Sequence, residues 1–227
     1  MSPRNDEPRG IPPPTLRRFP AYLNQLVRLQ EEGRDVVSST HLGQRLMLDP
    51  VQVRKDLECT GLVGRPKVGH SVPKLIEAIE SILGWNRVNE AFLVGAGNLG
   101  SALLGYPRFK QSGLDIVAAF DEASEKVGTE IHGKAVLPLK KLANLTRRMG
   151  VKVGIIAVPA DHAQAVADLM AEAGILAIWN FAPVTLRVPE EVIVQNEDLY
   201  SGLAVLTQKL AVRLHKEPSK GVRHAHE

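Results

Sequence analysis

Six consecutive residues, Gly95-Ala96-Gly97-Asn98-Leu99-Gly100, have the types and spacing of a phosphate-binding turn. The apolar run 91–94 reads as a buried strand and 98–106 as a helix, so the glycines fall on a strand-to-helix turn. In G-x-G-x-x-G at such a place, the first glycine permits the tight turn and the second lets a pyrophosphate approach the backbone. The third lets helix and strand pack closely. The helix N-terminus adds unpaired N–H groups and a partial positive charge. A second strand, 115–120, leads to Asp121, about twenty residues past Gly100. A carboxylate there accepts hydrogen bonds from the adenosine ribose hydroxyls and repels a 2′-phosphate, favouring NAD over NADP. The plainer alternative, a glycine turn beside a surface aspartate, does not explain why strand, spacing and acid coincide.

Hydride transfer would also need a proton donor or acceptor near the nicotinamide, commonly His, Lys or Tyr. Tyr106, His132, Lys134 and His162 are available, but no two form a recognisable pair. The chain beyond residue 85 is also short for a Rossmann fold plus a substrate domain. Dinucleotide binding without turnover, as in a sensor, suits these residues better, and no catalytic residue is assigned. The single Cys59 excludes an internal disulfide and a Cys-rich zinc site, and no His pair sits at ligand spacing beside carboxylates.

A second constellation centres on Lys55. Asp49-Pro50 is a helix start, a capping side chain followed by proline at the first helical position. With about 100° per residue, Val53 and Leu57 face inward and Lys55 stands at the centre of the opposite face, beside Val51, Gln52, Arg54 and Cys59. Lys55 there can donate to guanine O6 and N7, Gln52 can pair with adenine, and Arg54 suits a phosphate or a guanine. Arg65 and Lys67 lie in the glycine-rich stretch 61–69, shaped for a hairpin, and suit backbone phosphates or the minor groove. The competing reading is an ordinary solvated face whose cations pair with Asp56 and Glu58.

The elements that must carry these groups follow from periodicity. Phe19, Tyr22, Leu23, Leu26 and Val27 predict an amphipathic helix, with Pro20 in its first turn or kinking its entry and Gly33 closing it. Ser38-Ser39-Thr40 caps a short segment 41–47. The Pro50 helix follows, then the hairpin, then a helix over 74–83 ended by Gly84. That order is a winged helix-turn-helix. Beyond Gly84-Trp85-Asn86, strands at 91–94, 115–120, 152–158, 175–179 and 192–194 alternate with helices, one of them near 138–149. Such alternation implies an α/β Rossmann domain with a doubly wound parallel sheet. Leu199, Leu203, Leu206, Leu210 and Leu214 stripe one face of a last helix. The expected divisions are a disordered 1–14, a winged helix 15–84, a Rossmann domain 85–197, a dimerisation helix 198–215 and a disordered tail 216–227. With 44% hydrophobic and 23% charged residues, the 227-residue chain has an ordinary globular composition, and its net charge of +3 permits nucleic-acid binding without itself indicating it. No apolar stretch reaches membrane length and no signal-peptide pattern opens the chain, so a cytoplasmic protein without a membrane partner is expected.

The stretch Val51-Gln52-Val53-Arg54-Lys55-Asp56-Leu57 and the run from Phe92 through the glycine turn to Leu104 resemble the Rex family of redox-sensing transcriptional repressors. The likeness continues through 116–121, Lys126-Val127-Gly128, Val158-Pro159-Ala160 and Asn180-Phe181-Ala182-Pro183, and covers about 15–214. The resemblance implies operator DNA as target, NADH and NAD⁺ as effectors rather than redox substrates, and a homodimer whose C-terminal helices are swapped. It places the nicotinamide near Tyr106, Val158, Pro159, Asn180 and Phe181. It also implies that NADH closes the dimer and misplaces the recognition helices while NAD⁺ competes without releasing DNA. Asp198 matches the family's acidic residue before the swapped helix. The chain departs from the family's pattern where Cys59-Thr60 stands for an aromatic pair, Asn24 for an arginine, and Pro66-Lys67-Val68-Gly69-His70 for Arg-Gly-Val-Gly-Tyr in the wing. A small NAD-dependent reductase, or a CoA- or nucleotide-binding module without a DNA role, are the alternatives from other classes.

Overall fold

The computed structural model describes residues 10–216 and divides into two compact units. One is the chain up to Val88 together with Arg108–Leu114; the other is Asn89–Pro107 with the chain from Asp115 onward. The division falls just beyond the expected change at Gly84-Trp85-Asn86. The excursion at Arg108–Leu114 has no mark in the linear sequence. Of the expected disorder at 1–14 and 216–227, residues 1–9 and 217–227 lie outside the described residues, and the rest is corrected at Pro13 and Pro14, which already belong to a helix, and at Lys216, which ends one.

The first unit is built from α1 (Pro13–Glu31), β1 (Val36–Val37), α2 (Ser39–Leu46), α3 (Pro50–Glu58), β2 (His70–Ser71) and α4 (Val72–Leu83). The Ser38 hydroxyl accepts the His41 N–H at 3.1 Å and so caps α2. The Asp49 carboxylate does the same for α3 through the Val51 N–H at 2.7 Å. α1 packs on α4 and α2 on α3, around buried Phe19, Tyr22, Leu26, Leu42, Val53 and Leu75. β1 and β2 pair antiparallel, Val37 opposite His70, and close the base of a hairpin whose neck is the Arg65–Gly69 bridge. A Cβ at Gly69, which sits at φ +106°, would strike the Val37 carbonyl, so the hairpin requires glycine there.

α1 starts well before the expected Phe19. Pro13 and Pro14 occupy its first turn, where a missing N–H costs nothing and a fixed φ is already helical. Pro20 therefore lies inside the helix, not at its entry. The early start brings Thr15 and Arg18 onto the face of Tyr22, and all three close on Asp56 of α3. Arg18 donates from Nε to Oδ2 at 2.6 Å and from Nη2 to Oδ1 at 2.8 Å. Tyr22 Oη donates to Oδ2 at 2.6 Å and Thr15 Oγ1 to Oδ1 at 2.9 Å. Asp56 is only 1% exposed. The competing reading, in which it pairs with the outward cations of α3, is thus ruled out for Asp56: it faces inward with Val53 and Leu57, toward α1. Burial pushes its carboxyl upward, but the hydrogen bonds from Arg18, Tyr22, Thr15 and Gln52 outweigh that and hold it at about 2. Burial and the Asp56 hydrogen bond raise Tyr22 above the usual phenol range.

In the second unit, β3 (Asn89–Val94) leads through the glycine turn into α5 (Asn98–Leu104). After α6 (Arg108–Gln111), which belongs to the first unit, come β4 (Leu114–Asp121), β5 (Glu130–Ile131), β6 (Lys134–Pro138), a 3₁₀ turn Leu139–Lys141 and α7 (Leu142–Met149). β7 (Val153–Ile156), α8 (Ala160–Ala173), β8 (Ala177–Asn180), β9 (Ile193–Asn196) and α9 (Leu199–Lys216) follow. The sheet order is β5-β6-β4-β3-β7-β8-β9, and β3 with β7, β4 with β6, β7 with β8 and β8 with β9 run parallel. The order reverses between β3 and β7, the switch point at which a doubly wound sheet opens its crevice. The hairpin β5–β6 is unanticipated; six residues of mixed polarity around His132-Gly133 carry no strand-length apolar pattern. Buried Phe92 and Phe120 meet edge to face at 5.0 Å beneath the crevice.

The Asp56 network sets a stability prediction. Because the folded carboxyl lies below its unfolded value of 3.8, the network's stabilisation of about 2 kcal/mol is fully present above pH 4 and lost as pH falls through about 2. Asp56→Ala should lower unfolding free energy in urea at pH 7 by about 2–4 kcal/mol, since it strands Arg18, Tyr22 and Thr15. A variant as stable as the parent would refute the assignment.

Candidate dinucleotide site and nucleic-acid face

The three glycines of the turn meet different demands. Gly95 sits at φ +102° with the Ala157 carbonyl oxygen 2.5 Å from where its Cβ would be. A Cβ at Gly100 would collide with the Gly95 carbonyl. Both are required by the fold. Gly97 has φ −80° and ψ −164°, open to any residue, and a Cβ there would meet no protein atom within 4 Å. The fold leaves Gly97 optional; only something occupying the space above it makes glycine necessary.

That space is a cavity of about 620 Å³ bordered by Gly95, Gly97, Asp121, Lys126, Val158 and Pro159, with Leu139, Val166 and Leu169 as its apolar wall. The volume falls in the range of cofactor sites. Asp121 ends β4 and ties the turn together. Its Oδ2 accepts the Ala96 N–H at 2.8 Å and Lys126 Nζ at 3.2 Å, and its Oδ1 accepts the Ala123 N–H at 2.9 Å. Burial raises its carboxyl, but the bonds from Ala123, Ala96 and Lys126 win and keep it below the usual carboxylate range. A polar end at Asp121 and an apolar wall from α8 suit the ribose and base of an adenosine.

Of the expected ligand residues, Gly95, Gly97, Asp121, Val158 and Pro159 border the cavity. Ala96, Asn98, Leu99 and Gly100 form the turn and first helical residues without lining it. Tyr106, 49% exposed, and Asn180 and Phe181 lie outside it. Asn180 is fully buried: its Oδ1 accepts the Ala182 N–H at 3.0 Å, and its Nδ2 donates to Ala182 O, Val184 O and Asn196 Oδ1. Those bonds assign its side chain to shaping the 181–184 turn, and Phe181 packs on Trp179 at 4.8 Å. Sequence reasoning named Lys126 only within the family likeness and did not single out Leu139. Val166 and Leu169, read as core, do pack in the core, and they also border the cavity, a second role that apolar periodicity does not show. His162, read as a solvated residue, is exposed and borders the cavity. Among the described residues no cluster of three or more metal-ligating side chains occurs, and no helix is long and apolar enough to cross a membrane.

In the first unit, Lys55 and Arg54 are exposed on α3 while Val53 and Leu57 are buried, as expected. Gln52 is exposed but tethered, its Nε2 donating to Asp56 Oδ1 at 3.0 Å. One of its amide hydrogens is thereby committed. A groove bordered by Ser38, Thr40, Arg54, Arg65, Lys67 and His70 joins the start of α2 to the hairpin, so three of the expected cations, Arg54, Arg65 and Lys67, converge beside the Ser38 and Thr40 hydroxyls, a lining suited to a phosphate backbone. Burial pushes the His70 imidazole below its usual value. Asn24 accepts from Arg108 Nη2 at 2.6 Å, so α1 meets an arginine from α6 at that position.

Residues 86–184 match the model of the CoA-binding domain, and residues 10–58 that of a DNA-binding protein N-terminus. The redox-sensing transcriptional repressor Rex of Treponema denticola is 46% identical over 193 residues, covering 85% of this chain and 92% of that protein. Rex of Bacteroides thetaiotaomicron is 41% identical over 200 residues, 88% and 91% of the two chains. The chain belongs to the Rex family. Among solved structures, the Rex-family repressor RSP aligns with a TM-score of 0.82 at 30% identity, over 93% of this chain and 99% of that one. RSP in complex with β-NAD⁺ and operator DNA aligns with a TM-score of 0.81, and RSP with β-NADH with 0.80, both at 31% identity over 91% and 97% of the chains. The winged-helix and Rossmann expectation agrees with these Rex folds.

The hairpin carries a strained backbone position. Lys67 takes φ +64°, a left-handed conformation that glycine adopts freely and a side chain adopts at a cost of about 1–2 kcal/mol. Pro66 and the Val68 N–H to Arg65 O bond of 3.1 Å hold it there, at the second central position of a turn. Lys67→Gly should therefore raise thermal stability while Lys67→Ala does not. Both should weaken DNA binding alike for all sequences, whereas Lys55→Ala should relax base preference at one position of each half-site. Binding-site selection with the three variants tests this; altered base preference in the Lys67 variants alone would reverse the assignments.

Proposed function

We propose that this chain represses transcription by binding operator DNA as a homodimer and that NADH in the Gly95–Asp121 cavity releases it, NAD⁺ competing without release. The observation that carries the reading is Gly97: nothing in the fold forbids a side chain there, and the open space beside Asp121 is where a pyrophosphate would run. The RSP complexes with NAD⁺ and operator DNA and with NADH support it at both ends. Within that reading, the Lys55 face of α3 enters the major groove, and the Arg65–Lys67 wing holds the backbone. Tyr106, Asn180 and Phe181 lie on the nicotinamide side, the last two by shaping its backbone. The dinucleotide is an effector and not a redox substrate, and the protein acts on DNA in the cytoplasm.

To switch from mostly bound to mostly released, NADH must distinguish the two states by about 10⁴-fold, shared over the sites of the dimer. Fluorescence anisotropy of a labelled operator should show release by NADH at concentrations where NADPH and CoA do nothing. Gly97→Ala should bind the operator like the parent and need at least about 10-fold more NADH. Release by CoA alone would favour a nucleotide module of another kind, and turnover of a carbonyl substrate would favour a reductase.

Assembly rests on α9. Leu203, Leu206, Leu210 and Leu214 are 53–64% exposed, and Tyr200 69%. Covering such leucines contributes about 1.5–3 kcal/mol each before entropy costs, so a swapped helix against the partner chain has a clear driving force. Removing the chain from Asp198 onward should yield monomer or aggregate in sedimentation and lose operator binding. A full-length monomer at micromolar concentration would end the swapped-helix reading.

A further inference from the structure

A single turn of helix, α6, joins the two elements that carry the dinucleotide site. α5 starts from its cap at Gly97 and ends shortly before α6, while β4 starts at Leu114, directly after Gly113, and ends at Asp121. The far ends of α5 and β4 are tied together, because Asp121 Oδ2 accepts the Ala96 N–H at 2.8 Å. Residues 96–121 therefore form a closed loop, with the cavity groups Gly97 and Asp121 at one end and α6 at the other. The α6 end is fastened within the first unit at two points. Arg108 Nη2 donates to Asn24 Oδ1 of α1 at 2.6 Å. Gly113, buried at φ +70°, lies so close to the 85–87 backbone that a Cβ would stand 2.5 Å from the Arg87 carbonyl oxygen. Trp85 beside it packs on the core of that unit, and α1 is the helix whose Thr15, Arg18 and Tyr22 hold Asp56 of α3.

We propose that Arg108 is a positioning residue for release: through its bond to Asn24, the α5–α6–β4 loop passes a change at Gly97 and Asp121 on to α1, and so to the Lys55 face of α3. This rests on the effector reading above and adds the route by which the nucleotide acts on the first unit. Of the two fastenings, the one at Gly113 is backbone against backbone and is fixed by the fold. The one at Arg108 joins two exposed side chains. Water can replace either partner, so the bond contributes little to stability; what it sets is how α1 is held relative to α6. Arg108 borders neither the dinucleotide cavity nor the groove beside the hairpin, so removing its side chain leaves both sites whole and loosens only the link. Coupling is reciprocal, and the same variant should also reduce the factor by which operator DNA weakens NADH binding.

The test is a double-mutant cycle on the full-length protein: parent, Arg108→Ala, Asn24→Ala and the double variant, with Asn24→Asp as the conservative replacement. Operator affinity is read by fluorescence anisotropy without and with saturating NADH, and NADH affinity by nucleotide fluorescence. Arg108→Ala should bind NADH alone and operator alone much as the parent does, while the factor by which NADH weakens operator binding falls by about 3- to 30-fold. Asn24→Ala should lose the same factor and the double variant no more, because the two residues act through one bond. Asn24→Asp keeps an acceptor for the guanidinium and should keep the parent's factor. An unchanged factor in Arg108→Ala, or losses that add in the double variant, would discard the role of Arg108 while the effector reading stands. A parent protein that NADH does not release from the operator would overturn the effector reading, and this proposal with it.

Discussion

A carboxylate among the aliphatic side chains of a small helical core costs several kcal/mol unless every oxygen is met by a donor. The first unit is organised around meeting that demand at Asp56. Three residues of α1, two of them ahead of Phe19, converge on it, and Gln52 joins from its own helix. The consequence is directional. Apolar packing of Val53 and Leu57 would tolerate small rotations of α3, whereas charge-assisted hydrogen bonds from fixed points on α1 leave little freedom. Which residues of α3 face outward is thus set by a polar contact on its inner side.

Asp121 performs a related task in the second unit with opposite exposure. It joins the glycine turn to the segment after β4, and it does so at the edge of a cavity, where acceptor capacity is left over. A fully buried carboxylate with all its donors supplied holds structure; one at a cavity edge with a lone pair to spare can also bind. Both are held below the usual carboxylate range by their donors and against desolvation, so pKa alone does not separate the two roles. Burial and lone-pair accounting do.

The hairpin shows how a strained position is held. Pro66 stiffens the turn, and Lys67 carries a cation on a backbone that favours glycine. The strain is tolerated because the Arg65–Gly69 bridge and the Gly69 contact with Val37 define the hairpin on both sides. A charge is thereby presented at the tip by a backbone with little freedom to move it.

The sequence by itself determined the two-domain plan, the glycine turn with its aspartate, and the helix α3 with Lys55 on its outward face. All of these are written in local periodicity, capping residues and short spacings. Three things needed the tertiary structure. Thr15, Arg18 and Tyr22 meet Asp56 from 34 to 41 residues away, and a proline-rich start concealed the first turns of their helix, which carry Thr15 and Arg18. The core face of α8 also borders the cavity, and only the space beside it shows that second role. Asn180, which looks like a ligand residue in sequence, proves to be buried, its amide consumed by the turn that follows it. The physical reason is common to all three. A side chain's role depends on which donors, acceptors and empty volumes surround it, and those come from segments that the linear order places far apart.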